Sequence, residues 1–238
     1  MDNGGIRFVL FMQGCAMRCR FCHNPDTWLK KGRTVTVDEI MRQLRSYRVF
    51  FELSGGGLTV SGGEPLLQQR FVRELFLDAG SEGIHRALDT SGFCQHGCFE
   101  AILDVADLLL FSIKAIDPEL HRDLTCVDNY EILANLHQAA TAPLQLRLRY
   151  VLIPGVNDSD RDISALVDLA HSLPGKVEVE VLPYHRLGKH KWQQLGMEYP
   201  MEDIKEPTVL EVQRVVQILD HEKLAVYATR ESGSPLGY

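Results

Sequence analysis

The stretch Gly57-Leu58-Thr59-Val60-Ser61-Gly62-Gly63-Glu64-Pro65 runs straight into a helical pattern at Leu66–Ala79. A short β-prone run, a glycine turn and a proline at the start of an amphipathic segment make a strand-to-helix unit. The same rhythm extends in both directions. Strand-like runs occur at Ile6–Met12, Gly57–Val60, His85–Leu88, Leu108–Ile113, Leu146–Ile153, Val177–Leu182 and Leu224–Tyr227. Helical patterns lie between them, at Val37–Leu53, Leu66–Ala79, Phe99–Val105, Tyr130–Ala140, Asp160–Ser172 and Pro207–His221. Alternation of this kind predicts an α/β fold with a parallel sheet, open or curled into a barrel. At 238 residues, the chain is the size of a single barrel-like domain. The segment Tyr184–Glu206 breaks the rhythm as a long loop, which marks it as functional.

Unusual residues collect where the predicted strands end. Gly14-Cys15 follows the first run, Ser61–Pro65 the second and Asp89-Thr90-Ser91-Gly92 the third. Ser112-Ile113-Lys114 closes the fourth, Pro154–Asn157 follows the fifth and Pro183-Tyr184-His185 the sixth. The carboxyl edge of a parallel sheet is where such folds carry their sites. The formal charge of -7 argues against a nucleic-acid partner, which wants a basic surface. No run approaches the apolar length of a membrane span, and nothing at Met1–Gly5 directs secretion. The sequence therefore predicts a soluble cytoplasmic protein without a membrane partner.

Three of the six cysteines fall within eight residues, as Cys15-Ala-Met-Arg-Cys19-Arg-Phe-Cys22. Three thiolates can hold three irons of a 4Fe–4S cubane and leave the fourth open, whereas electron carriers close theirs with four. An amino acid offering an amine and a carboxylate suits the vacant iron. A Cys3His zinc site using His23 fits by composition, but adjacent residues rarely reach one tetrahedral ion. Cys19-Arg-Phe-Cys22 also reads as a thiol redox pair, which leaves Cys15 unexplained. Cys94, Cys98 and Cys126 read as ordinary cysteines, with Cys94-Gln-His-Gly-Cys98 the one further pair at metal-like spacing.

The C-x3-C-x2-C loop resembles that of the radical S-adenosylmethionine superfamily. Within it, Gly14–Trp28, Ser61–Pro65 and Leu182-Pro183-Tyr184-His185 with Gly188-Lys189-His190-Lys191-Trp192 resemble the glycyl-radical-enzyme activating family, of the pyruvate formate-lyase kind. The likeness runs from about Ile6 to Tyr227. It implies an incomplete (β/α)6 TIM-like barrel, open on one side, with a 4Fe–4S cluster on Cys15, Cys19 and Cys22. It also implies reductive cleavage of S-adenosylmethionine and removal of a hydrogen atom from a glycine of a partner enzyme, in the first place pyruvate formate-lyase. A flavodoxin or ferredoxin would supply the electron, and the enzyme would act as a monomer.

On the same resemblance, Phe21, Cys22 and His23 would contact the adenine and the cofactor backbone. Gly62, Gly63 and Glu64 would receive the ammonium of the cofactor, and glycine permits that approach. Ser112, Ile113 and Lys114 would face its ribose or carboxylate, together with His185. Arg149 reads either as a partner for cofactor or peptide carboxyl groups or as one half of a structural ion pair. Tyr184–Trp192, with Lys189, His190 and Lys191, reads as part of a partner-facing loop spanning residues 184–206.

Two departures from the family stand out. Ser112 occupies a position where the family has an aspartate that helps Asp89 hold a monovalent cation. Asp89, Thr90 and the Leu110 carbonyl would then bind potassium or sodium weakly or not at all, since a neutral oxygen attracts a hard cation less than a carboxylate does. The chain also opens at Met1-Asp2-Asn3-Gly4, where the family has an upstream strand, so that either the start is misplaced or the barrel edge is less covered. Activases of ribonucleotide reductase or diol dehydratase type share the chemistry. The dehydratase type often carries an inserted cluster domain, for which the twelve residues between Cys22 and Val35 leave no room.

Overall fold

Each predicted strand forms, most of them as runs or alternations of β-branched and large apolar side chains. In a computed structural model describing residues 5–94, 97 and 99–228, they are β1 (Arg7–Met12), β2 (Gly57–Gly62), β3 (His85–Thr90), β4 (Leu108–Ile113), β5 (Gln145–Leu152), β6 (Val177–Pro183) and β7 (Ala225–Ala228). All pair in parallel in chain order. Among the described residues β1 and β7 have one neighbour each, so the sheet is a partial barrel left open between them. Seven strands take part rather than six. The readings that concern Met1–Gly4 and Cys98 lie outside the described residues.

The helices are α1 (Val37–Ser46), α2 (Arg48–Ser54), α3 (Gln69–Ser81), α4 (Glu100–Leu103), α5 (Pro118–Thr125), α6 (Tyr130–Ala139), α7 (Asp160–Ser172), α8 (Lys189–Gln194) and α9 (Val209–His221). Capping boxes start α1 at Thr36, α7 at Ser159 and α9 at Thr208. The helix expected over Val37–Leu53 is divided at Tyr47, where the helical dihedrals lapse and the ring packs on Phe8, Phe50 and Phe51. Sequence periodicity missed α5. Its signals are local: Asp117 caps the amides of Glu119 and Leu120, and Pro118 opens the first turn. No described helix is long and apolar enough to cross a membrane.

The main core lies between the sheet and its helices, with Leu58, Val60, Leu88, Phe111, Leu148 and Val179 fully buried in it. The other sheet face is graded along the strands. Ala87, Leu108 and Leu110 form a small apolar floor. Above it, register aligns Leu110 with Arg147 and Glu178, then Ser112 with Arg149 and Glu180. Arg147 pairs with Glu178 at 2.9 Å, and Arg149 with Glu180 at 3.0 Å. The inner face thus changes from apolar to charged toward the carboxyl ends of the strands, where the site lies.

Candidate radical SAM active site

The cluster loop leaves β1 through Gly14, whose φ of +104° is open mainly to glycine. Its return is fixed by backbone bonds, from the Gly14 amide to Thr27 and from the Cys15 amide to Trp28. The outer arm is held by the end of α5, where the Thr125 and Leu124 carbonyls accept from the Arg18 and Arg20 amides, each at 2.9 Å. On the other side, the Gly62-Gly63 turn closes against the loop. A Cβ on Gly63 would lie 2.3 Å from the Gly14 carbonyl oxygen, and the Glu64 amide donates to that same oxygen at 2.8 Å. The two motifs read separately in the sequence form one braced unit.

Together they wall a cavity of about 270 Å³ at the carboxyl ends of the strands. Of the predicted residues it is lined by Cys15, Cys19, Phe21, Cys22, His23, Gly62 and Gly63 from the two loops. Asp89, Thr90, Ser112, Lys114 and Arg149 complete it from the strands. Burial pushes the Cys15 thiol up to about 11 and the Cys19 thiol to about 12, with Cys22 shifted the same way, while the charge of Lys114 opposes the rise at all three. Buried thiols beside a cation keep their protons until metal replaces them. Among the described residues, no three His, Cys, Asp or Glu side chains close on a single metal ion. His23, the fourth ligand of the zinc alternative, is drawn toward the 184–206 segment. His23 Nε2 donates to the His185 carbonyl at 2.9 Å, and the two imidazoles stack with centroids 4.0 Å apart. Burial, reinforced by His185, lowers the His23 pKa to about 4. Three cysteines from one loop, lining a single cavity, suit a three-thiolate iron–sulfur cluster.

Other predicted residues stand elsewhere. Glu64 is 1 % exposed and does not line the cavity. One carboxylate oxygen accepts from Thr90 Oγ1 and the Leu66 amide, the other from the Ser91 amide and hydroxyl. Burial raises its pKa, against the pull of these four bonds. It ties β2 to β3. Ile113 is buried in the main core. His185 reaches the site through its contact with His23. Asp89 is already engaged: its carboxylate accepts from Ser61 Oγ at 2.7 Å and from Arg149 Nη1 at 3.2 Å. Leu110, whose carbonyl was the third candidate cation ligand, is fully buried in the apolar floor. Cys94 is buried beside Asn135, and exposed Cys126 ends α5 in a left-handed conformation.

The loop 184–206 contains α8 and packs on the cluster loop. Trp192 Nε1 donates to the Cys22 carbonyl at 2.9 Å, and its ring meets Trp28 edge to face. Lys191 bonds Asn24 and Asp26, while Lys189 pairs with Glu202. His190 Nδ1 lies 2.7 Å from the Leu187 carbonyl, so all three basic residues assigned to a partner-facing patch have partners within the protein. Sequence reasoning also missed Ser61, Ser91, Val151 and Leu182 in the cavity wall. Ser61 and Ser91 were within reach, each standing at a strand end already singled out.

Comparison with known proteins agrees with this geometry. The Radical SAM superfamily model matches residues 9–167. The pyruvate formate-lyase 1-activating enzyme of Escherichia coli is 40 % identical over 223 residues, spanning 92 % of this chain and 91 % of the relative. The chain belongs to the radical SAM superfamily, among the pyruvate formate-lyase-activating enzymes. A Staphylococcus aureus member is 42 % identical over 215 residues, covering 87 % of this chain and 86 % of its own. A crystal structure of a domain of the Bacteroides vulgatus activating enzyme superposes with a TM-score of 0.62 at 30 % identity, covering 74 % of this chain and 99 % of that one. The fold is shared more widely. Streptococcus suis SuiB bound to S-adenosylmethionine gives a TM-score of 0.71 at 16 % identity, over 96 % of this chain and 51 % of that one. Family membership brings with it a 4Fe–4S cluster and S-adenosylmethionine, and the three-cysteine cavity fits them.

Proposed function

We propose that this enzyme generates the glycyl radical of pyruvate formate-lyase, working as a monomer with a flavodoxin or ferredoxin as electron source. The observation that carries the reading is the single cavity joining Cys15, Cys19 and Cys22 to the Gly62-Gly63 turn and Lys114 at the mouth of an unclosed barrel. When bound there, the cluster and S-adenosylmethionine supply one-electron cleavage of a sulfonium and, through it, hydrogen-atom removal at a glycine Cα.

The chain's own residues bind and orient. Lys114 lies 5.8 Å from the Phe21 ring centroid, so one corner of the cavity offers a cation for a carboxylate beside an aromatic face for adenine. His23 is uncharged at neutral pH and extends that face, with His185 stacked behind it. Gly62 and Gly63 present main chain to an ammonium, while Glu64, next in the chain, is anchored to Thr90 and Ser91. Arg149 and Ser112 line the side nearer β5, within reach of ribose or carboxyl oxygens. Asp89 and Thr90 keep protein partners and leave at most a weak cation site.

The test is anaerobic reconstitution with iron and sulfide, followed by dithionite and S-adenosylmethionine. Formation of 5′-deoxyadenosine, and of a glycyl radical signal when pyruvate formate-lyase is added, is expected. Stoichiometric zinc uptake without iron and sulfide would overturn the reading. A radical signal on a ribonucleotide reductase or diol dehydratase alone would reassign the partner.

A further inference from the structure

The proposed reaction consumes one external electron per turnover, and the need for a surface that receives an electron donor rests on that reading. In a chain of formal charge -7, residues 13–33 hold five basic side chains (Arg18, Arg20, Lys30, Lys31 and Arg33) and a single acid, Asp26. Two of these charges are internally satisfied: Arg20 pairs with Asp123, and Asp26 with Lys191. The remaining four basic residues are exposed. Arg18 is fixed by the Cys15 and Met17 carbonyls and lies over the Trp28 ring. Lys30 and Lys31 make no ion pair among the described residues. Arg33 reaches Glu39 at 3.9 Å with 70 % of its side chain exposed.

Apolar surface accompanies these charges. Leu29, next to Lys30 in the chain, is 52 % exposed and Phe11 51 %, and a second cavity of about 240 Å³ brings Phe11 and Phe71 together with Lys30 and Arg33. An apolar centre with a charged rim is the anatomy of a docking face. It also adjoins the cluster loop. The stem of Lys30 lies against Gly14, where an added Cβ would meet its Cε at 3.1 Å. The Trp28 carbonyl, one residue before Leu29, accepts from the Cys15 amide at 3.2 Å.

We propose that this face docks an acidic single-electron carrier protein. The carrier loses one electron and the cluster gains it, over a path that begins at Leu29–Lys31 and reaches Cys15 through one backbone hydrogen bond. Complementary charge brings the carrier to this face and orients it there.

The test uses reconstituted holoenzyme and follows 5′-deoxyadenosine formation driven either by reduced flavodoxin or by dithionite. K30E/K31E should lower kcat/KM for flavodoxin on the order of tenfold, with a shallower salt dependence. Its iron content and dithionite-driven rate should stay unchanged. K31E/R33Q, which spares the Gly14 contact, should act in the same direction, and an acidic ferredoxin should respond as flavodoxin does. Equal flavodoxin rates for variant and parent would overturn the proposal, as would equal losses in both arms. Loss confined to glycyl radical formation on pyruvate formate-lyase under dithionite would give the face to that partner instead. No 5′-deoxyadenosine from the parent under dithionite would remove the underlying reading itself.

Discussion

The Arg149 guanidinium stands between two carboxylates, 3.2 Å from Asp89 and 3.0 Å from Glu180. Ser112, its register partner on β4, adds no charge. The position beside Asp89 is thus served by a fixed positive charge from the chain itself. Activity of the parent enzyme should accordingly be flat in potassium, measured against an inert organic cation at equal ionic strength. A steep, saturable rise with potassium alone would contradict this. Arg149→Met removes the charge from between Asp89 and Glu180 and should cost about 3 kcal/mol of stability in urea unfolding, the usual scale for breaking a largely buried pair.

Legibility of the fold and the site in the sequence depends on how far apart the interacting residues lie along the chain. The strands and the C-x3-C-x2-C loop are local patterns, and each forms where its residues predict. The Arg147–Glu178 and Arg149–Glu180 ladder is not local, because it needs the register of β5 on β6. Its trace in the sequence is period-two charge in strands otherwise built to be buried, Arg147-Leu-Arg149 and Glu178-Val-Glu180. A place directly after two glycines points Glu64 at the cofactor, yet its four bonds run to Leu66, Thr90 and Ser91. No one-dimensional pattern shows which way such a side chain turns.

Glu64→Gln tests that brace. An amide keeps one acceptor oxygen, so on its nitrogen side either the Leu66 or the Ser91 amide loses its partner. A buried, unsatisfied donor costs about 1–3 kcal/mol. The apo-protein should lose stability by that amount in chemical denaturation. S-adenosylmethionine affinity should fall as well, because the same carboxylate ties the residue after the Gly62-Gly63 turn to Thr90 and Ser91, which line the cavity. Unchanged stability would show that the four bonds carry no net weight.

Trp192 and Gly188 test the clasp over the cluster loop. Trp192→Phe keeps the ring contacts but deletes the bond to the Cys22 carbonyl, a loss of about 1 kcal/mol. A Cβ on Gly188 would stand 2.6 Å from the His23 Cα, so Gly188→Ala must push α8 and the loop apart. Both variants should lose iron to a chelator faster than the parent, Gly188→Ala more so. Equal release rates would detach the 184–206 segment from cluster retention.

His121 gives the fold a pH dependence of known sign. The side chain is 1 % exposed on α5, the helix whose last carbonyls hold Arg18 and Arg20 of the cluster loop. Its Nδ1 donates to the Val127 carbonyl at 2.9 Å, while Nε2 meets no hydrogen-bond partner among the described residues. Protonating Nε2 would bury a charged donor with nothing to receive it, and burial accordingly lowers the pKa below the usual histidine value of 6.5. The unfolded chain therefore binds the proton first. Stability from this residue is complete above about pH 6.5 and is lost as the pH falls toward the depressed folded value. His121→Asn keeps a donor for Val127 and cannot titrate. Urea unfolding of the two apo-proteins from pH 7.5 down to 5 should give curves that run parallel above pH 6.5. Below it the parent should fall more steeply, and parallel curves throughout would mean that His121 takes up its proton without cost.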